Sequence, residues 1–242
     1  MGTVSKLGLA HQALRAAVLE IANARAACLN ELPARRRAAA IEMFEHGLRC
    51  GLYMGAFAKA VRDCTGLPIE VNNLVFAAVY HDIGKLCVPA ELLLAPRQLT
   101  ADERTIVQSH VTLGRVLARR ALRVMRVPEP ALRWALEVAA LHHERWDGHG
   151  YAHALVGRAI PLAARMMAIV DCYDVIVTPR PYKSACSHSH ACGIIEAEAG
   201  SAFDPSLVEI FLSIEHELEL KSSAWCVPQE ECVANVEVRQ FR

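Results

Sequence analysis

Eight side chains of the metal-binding types His, Asp and Glu are scattered through stretches that otherwise have the pattern of apolar helices. They are Glu42, His46, His81, Asp82, His110, His142, His143 and Asp171. A buried imidazole or carboxylate without a partner is costly, so the helices that carry these residues have to bring them together. This requirement favours a helical fold around a shared metal centre. Centres that mix imidazole and carboxylate ligands and hold two or three ions typically cleave phosphate esters.

The spacing of the first residues supports such a centre. Glu42 and His46 are four residues apart, which places both on one face of a helix. His81 and Asp82 are adjacent, so both can reach one site only near a helix end, and Gly84 predicts that end. The two oxygens of the Asp82 carboxylate could then bridge two metals.

A second adjacent pair, His142-His143, also precedes a glycine-rich loop. His110 and Asp171 are predicted to lie inside apolar helices, where each needs a partner, and a metal is the simplest partner for Asp171. Any one of these residues alone is more often structural, and a Glu/His pair at helical spacing is more often solvated. Two such pairs at helix ends, one followed by Gly-Lys and the other by Asp-Gly-x-Gly-Tyr, are what favours a site.

The composition favours packed helices. The chain has 242 residues, of which 53% are hydrophobic and only 6% aromatic, and the apolar content is mostly Ala, Leu and Val. We predict one all-α domain over residues 34–220, a short N-terminal helical extension over 1–33 and an irregular C-terminal tail over 221–242. The predicted helices lie at about 3–30, 34–63, 71–84, 100–121, 130–144, 161–177, 187–199 and 205–220.

The charge and the cysteines indicate the class of partner and the compartment. The formal net charge is zero, which argues against binding to DNA or to a membrane surface. No apolar run reaches the roughly 18 residues that a membrane span needs. The nine cysteines are irregularly spaced in a chain without a signal-peptide pattern, so we expect them to be reduced and the protein to be cytoplasmic.

Several long motifs resemble one known family. They are HDIGKLCVPAELLLAPRQLTADE, LHHERWDGHGY, LVGRAIPLAARMMAIVDCYDVIVTPRPYK and GSAFDPSLVEIF, and with the helix that carries His110 the resemblance covers about residues 42–214. The sequence resembles the HD-GYP family, a bacterial branch of the HD-domain phosphohydrolases. The resemblance implies an HD-domain-type helical bundle with two or three iron or manganese ions at its centre. It also implies hydrolysis of cyclic di-GMP to pGpG, GMP or both in second-messenger signalling.

The resemblance also assigns roles to residues. All eight side chains named above fall on the family's metal ligands, and Glu42 implies three metals because the family's three-metal members have a glutamate there. Asp82 and Lys85 fall on catalytic positions, and Lys85 is also implied to contact the scissile phosphate. Arg180 and Lys183 fall on basic residues that bind the phosphates of the ligand.

The signature tripeptide of the family is altered in this chain. Gly150-Tyr151-Ala152 stands where the family has Gly-Tyr-Pro. Without the fixed φ of proline, we expect a more mobile loop. The family's loop is implicated in contact with diguanylate cyclase (GGDEF) domains, so Ala152 bears on that partner more than on metal binding. Residues 1–33 could serve as a dimerisation helix, which makes a homodimer possible.

Two other functions stay open at this stage. The protein could be a catalytically weak module that binds cyclic di-GMP or a cyclase, although the complete ligand set argues against it. It could instead be a phosphohydrolase for another cyclic dinucleotide or for nucleotides, because the residues that contact the bases cannot be identified.

A further cluster is formed by Cys186, His188, His190 and Cys192, which alternate along the chain. An extended segment with this spacing could hold an extra metal. We instead predict a loop that runs into a helix, where the four side chains cannot share one face.

Overall fold

The computed structural model describes residues 33–124, 129–179 and 185–223. The predicted helix at 3–30 and nearly all of the extension at 1–33 lie outside the described residues, as do the tail residues from 224 onward. The described part of the chain is all-α and contains no strand. Its α-helices are α1 (Ala34–Thr65), α2 (Val71–Tyr80), α3 (Ala90–Leu93), α4 (Ala101–Gln108), α5 (His110–Val124), α6 (Glu129–Leu141), α7 (Leu162–Val177), α8 (His188–Ala197), α9 (Pro205–Ser213) and α10 (Glu215–Ser223). Short 3-10 turns lie at Ile83–Cys87 and Gly157–Ala159.

The long helix α1 is the centre of the bundle. It packs against α2, α7, α9 and α10. Its aromatic side chains meet those of α7 and α9 edge to face, with ring centroids 5.0 Å apart for Tyr53 and Tyr173 and 5.1 Å apart for Phe57 and Phe211. All four rings are buried, and such geometry adds about 0.5–1.5 kcal/mol per pair beyond the burial of apolar area. This core fixes the positions of α1 and α7, which both carry predicted metal ligands.

Two glycines allow the close approaches that form the centre of the bundle. A Cβ atom at Gly47 of α1 would lie 2.4 Å from the carbonyl oxygen of Val79 in α2. At Gly84, in the 3-10 turn after α2, it would lie 1.9 Å from the carbonyl oxygen of His110. Both distances are far below van der Waals contact, so only glycine fits. The first contact holds α1 against the end of α2, and the second holds α5 against the 3-10 turn. His81 and Asp82 lie between these two contacts.

Gly84 therefore has a different role from the one predicted. Helix α2 ends at Tyr80 rather than near Gly84, and Gly84 is not among the described residues that have positive φ. The reason for glycine at this position is space for α5.

The helix predicted at 100–121 is interrupted, and this corrects the expectation that His110 lies in a helix interior. Helix α4 ends at Gln108 and His110 begins α5. At Ser109 the backbone N–H is shared between the carbonyls of Thr105 and Ile106, and the hydroxyl donates to Ile106 at 2.6 Å. Such side-chain bonding to the preceding turn competes with regular helix geometry. His110 thus lies at a helix end, as do the two adjacent pairs.

Other helix starts agree with the prediction. Thr100 and Glu103 form the predicted capping box of α4, and Asp204 caps α9 with Pro205 at its first position. The helix predicted at 205–220 is divided at Ile214 into α9 and α10.

The described helices also bear on the membrane and redox expectations. None of them is both long enough and apolar enough to cross a lipid bilayer. No disulfide joins the cysteines of the described residues, and four of those six are buried, namely Cys50, Cys172, Cys186 and Cys192.

Candidate metal centre

The carboxylate of Asp82 lies at the middle of the cluster predicted from the sequence, surrounded by four imidazole rings. Its Oδ1 atom is 3.2 Å from Nε2 of His110 and 3.7 Å from Nε2 of His142. Its Oδ2 atom is 3.3 Å from Nε2 of His81 and 3.8 Å from Nε2 of His46. All five side chains are buried. Each oxygen therefore faces its own pair of imidazoles, which is the arrangement that a bridging carboxylate needs.

A second carboxylate, that of Asp171 in α7, completes the buried cluster. Its Oδ1 atom lies 3.0 Å from Nε2 of His46. One of its oxygens and one ring nitrogen each of His81 and His142 lie within 4.8 Å of one another. His143 joins Asp82, His110 and His142 in a neighbouring group. The structure thus brings together seven of the eight predicted ligands.

Three of the histidines are oriented in the same way by the main chain. Nδ1 of His81 lies 2.8 Å from the carbonyl oxygen of Ala78, and Nδ1 of His110 lies 2.7 Å from that of Val107. In His142 the corresponding distance to Val138 is 2.8 Å. A nitrogen that donates its proton to a carbonyl fixes the tautomer, so the lone pair of each ring is on Nε2 and faces the centre.

His46 is oriented by a carboxylate instead. Its Nδ1 atom lies 2.7 Å from Oδ2 of Asp174, one turn after Asp171 in α7. Arg49 donates to both oxygens of Asp174, at 2.7 and 3.0 Å. An aspartate on the outer nitrogen of a metal-binding histidine holds the ring in place and raises its basicity.

The electrostatics of the centre favour neutral imidazoles at His142 and His143 and a charged carboxylate at Asp82. Burial lowers the pKa of His142 to about 4, and burial together with the neighbouring His142 and His110 holds the pKa of His143 well below its ordinary value. Burial alone would raise the pKa of Asp82, but the Lys85 ammonium and His81 hold it well below its ordinary value. At neutral pH the lone pairs of His142 and His143 thus lie beside a negative charge, which is the state that binds a cation. His46 differs: burial lowers its pKa, but Cys50 and the carboxylates of Asp171 and Asp174 raise it well above its ordinary value, so a cation there would displace a proton.

Two buried polar atoms show that the cluster is incomplete without a cation. Nε2 of His81 and Oδ1 of Asp82 have no hydrogen-bond partner among the described residues. A buried polar atom without a partner costs about 1–3 kcal/mol. A divalent metal ion would satisfy both atoms, and the donor set of imidazole nitrogens and carboxylate oxygens suits iron, manganese or zinc. The residues present therefore fit a metal.

The remaining predicted site residues differ in where they lie. Nζ of Lys85 is 2.5 Å from Oδ2 of Asp82, and the lysine side chain is 24% exposed, so its charge reaches from the centre to the surface. Glu42 is half-buried on α1, one turn before His46, but it is not in any of the ligand groups found among the described residues. Arg180 and Lys183 lie outside the described residues.

The loop after α6 is held by the buried carboxylate of Glu144. This carboxylate accepts backbone N–H groups from Ala152 at 3.3 Å, His153 at 2.7 Å and Leu155 at 3.0 Å. The Tyr151 ring stacks on the His143 ring with centroids 4.7 Å apart. A proline at position 152 has no N–H to donate. The alanine that removes the φ restriction of proline therefore also supplies a hydrogen bond that holds the loop.

Sequence reasoning missed Asp174, Arg49 and Glu144. A signal existed for the first two, because Asp174 is three residues after Asp171 on an apolar helix and Arg49 is three residues after His46. Residues at this spacing share a helix face. Glu144 directly follows the His142-His143 pair, but its loop partners could not be identified from spacing.

Comparison with known proteins agrees with this geometry. The sequence profile of a family described as the HD domain matches residues 20–207, which is most of the chain. The chain belongs to the HD-domain family. The helical bundle described above is thus an HD domain, and its His81-Asp82 pair is the histidine and aspartate of the HDIGK motif.

Relatives of this HD domain include cyclic-dinucleotide phosphodiesterases. A cyclic di-GMP phosphodiesterase of Vibrio cholerae is 40% identical over 163 residues, which cover 67% of this chain and 32% of that protein. A cyclic di-GMP phosphodiesterase of Thermotoga maritima is 37% identical over 180 residues, which cover 74% of this chain and 46% of that protein. The 3'3'-cGAMP-specific phosphodiesterase 2 of Vibrio cholerae is 38% identical over 144 residues, which cover 59% of this chain and 26% of that protein. The chain spans less than half the length of each of these three relatives.

Proposed function

We propose that this HD domain is a metal-dependent phosphodiesterase that hydrolyses cyclic di-GMP to pGpG, GMP or both in bacterial second-messenger signalling. The observation that carries the proposal is the Asp82 carboxylate with a separate pair of imidazole nitrogens facing each of its oxygens. Two relatives that share 37% and 40% of aligned residues with the chain are named cyclic di-GMP phosphodiesterases. Both the site chemistry and the relatives thus support phosphodiester hydrolysis.

The roles of the residues follow from their positions. Bound divalent ions would supply activation of water and neutralisation of charge on the phosphate. Asp82 and the oriented histidines would hold these ions. The Lys85 ammonium, which is partly exposed beside Asp82, would stabilise negative charge on the non-bridging phosphate oxygens as it develops.

The finer features of the site are part of the same proposal. We expect two or three iron or manganese ions, with Glu42 as the ligand of the third, because Glu42 lies one turn from His46 on α1. Rotation of its side chain toward the cluster would be needed. Arg180 and Lys183 would bind the phosphates of the ligand, since both follow α7, the helix that carries Asp171.

Product chromatography with an Asp82→Ala variant tests the proposal. The full chain is purified without oxygen, its iron and manganese are measured, and it is incubated with cyclic di-GMP. We expect pGpG or GMP from the wild type, and loss of both turnover and bound metal in Asp82→Ala. Asp63→Ala is the matched control, because Asp63 is an exposed aspartate paired with Arg62.

Two outcomes would contradict the proposal. Retained turnover in a folded Asp82→Ala variant would remove the central residue from the mechanism. Full metal occupancy without product from any cyclic dinucleotide would show that the domain is a binding module.

A second candidate substrate is 3'3'-cGAMP, because a relative named as specific for it aligns at 38% identity. A panel of cyclic di-GMP, 3'3'-cGAMP and cyclic di-AMP at equal concentration separates the two. Cyclic di-GMP is expected to have the highest kcat/KM.

The loop and the chain ends carry the remaining parts of the proposal. The exposed residues 152–154 at the tip of the loop offer a surface for a diguanylate cyclase domain.

We propose an HD domain at 34–220 with an extension at 1–33, which could dimerise, and a tail at 221–242. Limited proteolysis and size-exclusion chromatography of the full chain test these boundaries. We also propose that the protein is cytoplasmic, as expected from the irregular spacing of its cysteines.

A further inference from the structure

A second group of metal-binding side chains lies outside the central cluster, on α8 and α10. His188 and Cys192 are four residues apart on α8, and Glu215 begins α10. One ligand atom from each of the three lies within 4.8 Å of the other two. The four alternating residues Cys186, His188, His190 and Cys192 do not all face one site, as expected, because His190 is exposed. Two of them nevertheless converge with a glutamate that is distant in the sequence.

The imidazole of this group resembles those of the central cluster in having a hydrogen-bond partner on its Nδ1 atom. Nδ1 of His188 lies 2.8 Å from the hydroxyl oxygen of Tyr173, and Nε2 lies 3.5 Å from the sulfur of Cys192. When Nδ1–H donates to the phenol oxygen, the lone pair of Nε2 faces the thiol. Tyr173 belongs to α7, between Asp171 and Asp174, so this group is in contact with the helix that supports the central cluster.

The local charge is negative. Burial, followed by the carboxylates of Glu215, Glu219 and Glu196, raises the pKa of the Cys192 thiol to about 11. None of these three glutamates forms an ion pair within the part of the chain that the structure describes. The first turns of α8 and α10 carry partial positive charge that disfavours a cation. The three carboxylates, each a full charge, outweigh it.

We propose that His188, Cys192 and Glu215 bind a divalent zinc-class ion at a site separate from the central cluster. One nitrogen, one sulfur and one oxygen form a borderline-soft donor set of the kind that binds zinc, with water in the fourth position. The ion would join α8 to α10 and keep His188 on Tyr173, so its role is structural. Coordination replaces the thiol proton, which leaves to solvent.

Cobalt(II) titration of the metal-stripped full chain tests this site, because thiolate coordination gives cobalt a near-ultraviolet charge-transfer band. We expect the band in the wild type, its loss in Cys192→Ser, and at least tenfold weaker cobalt binding at this band in His188→Ala and Glu215→Gln. Added zinc should remove the band. His190→Ala is the matched control on the same helix and should retain it.

Cys50 provides the control for the central cluster, because its sulfur lies 3.6 Å from Nδ1 of His46. The band should persist in Cys50→Ser. Absence of the band in the wild type, its persistence in Cys192→Ser, or its loss in Cys50→Ser with retention in Cys192→Ser would each overturn the proposal.

A thermal measurement guards against misfolding of the buried-cysteine variant. Glu215 is exposed, so Glu215→Gln should fold as the wild type does. Zinc should raise the Tm of the wild type more than that of Glu215→Gln, and an equal rise in the two would contradict the assignment.

Discussion

At the scale of single residues, the centre depends on groups that orient the ligands as much as on the ligands themselves. Three histidines are held by backbone carbonyls of the preceding turn, so no substitution of a side chain can remove those contacts. His46 is held instead by a side chain, that of Asp174. Asp174 is therefore the position at which ligand orientation can be changed without changing a ligand.

We predict that Asp174→Asn weakens metal binding about 10- to 100-fold, because the amide lacks the charge that holds His46 and pairs with Arg49. The uncompensated Arg49 should also lower the free energy of unfolding by up to about 3–5 kcal/mol. Metal affinity is measured by competition with a chelator at a temperature where circular dichroism shows a folded variant. Asp63→Asn serves as the exposed control. Wild-type affinity in folded Asp174→Asn would contradict the role given to this residue.

The members of the buried cluster, apart from Glu42, could be predicted from the sequence, but the residues that orient them could not. His81-Asp82 and His142-His143 are found in local motifs that a reader of the sequence can see. Asp174 contacts His46 across 128 residues of sequence, and that contact depends on how α1 and α7 pack. The position of His110 was predicted within the right helix region but not at a helix end, because helical periodicity does not show that the Ser109 hydroxyl bonds to the preceding turn.

At the scale of secondary-structure elements, close packing between the turn at Ile83–Cys87 and α5 sets the positions of Asp82, which precedes the turn, and His110, which begins α5. We predict that Gly84→Ala lowers the free energy of unfolding by about 1–3 kcal/mol, since the added methyl group would overlap the His110 carbonyl and Gly114. It should also reduce metal content, because Asp82 directly precedes the turn and His110 begins α5. Chemical denaturation and metal analysis measure the two effects.

Gly193→Ala is the matched control for this prediction. A Cβ at Gly193 in α8 would meet nothing within 4 Å, so alanine should stabilise the helix by up to about 1 kcal/mol. Equal stability changes in Gly84→Ala and Gly193→Ala would contradict the packing argument.

The loop after α6 provides a second prediction at this scale. Glu144→Gln should lower the free energy of unfolding by about 1–3 kcal/mol, because the amide has one acceptor oxygen and its NH2 group would face a buried backbone N–H that a carboxylate oxygen now accepts. Ala152→Pro removes only one of these hydrogen bonds and should cost less. Urea denaturation of both variants gives the order, and a larger loss in Ala152→Pro than in Glu144→Gln would show that Glu144 does not hold the loop.

At the scale of the whole molecule, the centre joins most of the bundle. Ligands or candidate ligands come from α1, the turn after α2, α5, the end of α6 and α7. An ion bound only by the folded state stabilises it by about 2.7 kcal/mol at one hundred times its dissociation constant. The all-α architecture could be predicted from helical periodicity, but this convergence of five elements depends on tertiary packing.

Removal of metal should therefore lower the thermal stability of the whole domain. We predict that a chelator lowers the Tm of the metal-loaded protein by several degrees, at about 2–4 °C per kcal/mol for a domain of this size. Differential scanning calorimetry with and without chelator measures the shift. Asp82→Ala, which should bind little metal at the centre, is expected to show a much smaller shift, and an equal shift would place the stabilising ion elsewhere.

The carbonyl contacts of His81, His110 and His142 also limit which groups can act as acids. Each ring has its proton on the outward nitrogen, so in the proposed hydrolysis the inward nitrogen would have none to give to the leaving oxygen. Protonation of that oxygen would then fall to a group outside these three, such as the partly exposed Lys85, or to solvent. The three rings can bind and orient a cation, but none of them is arranged to act as the acid.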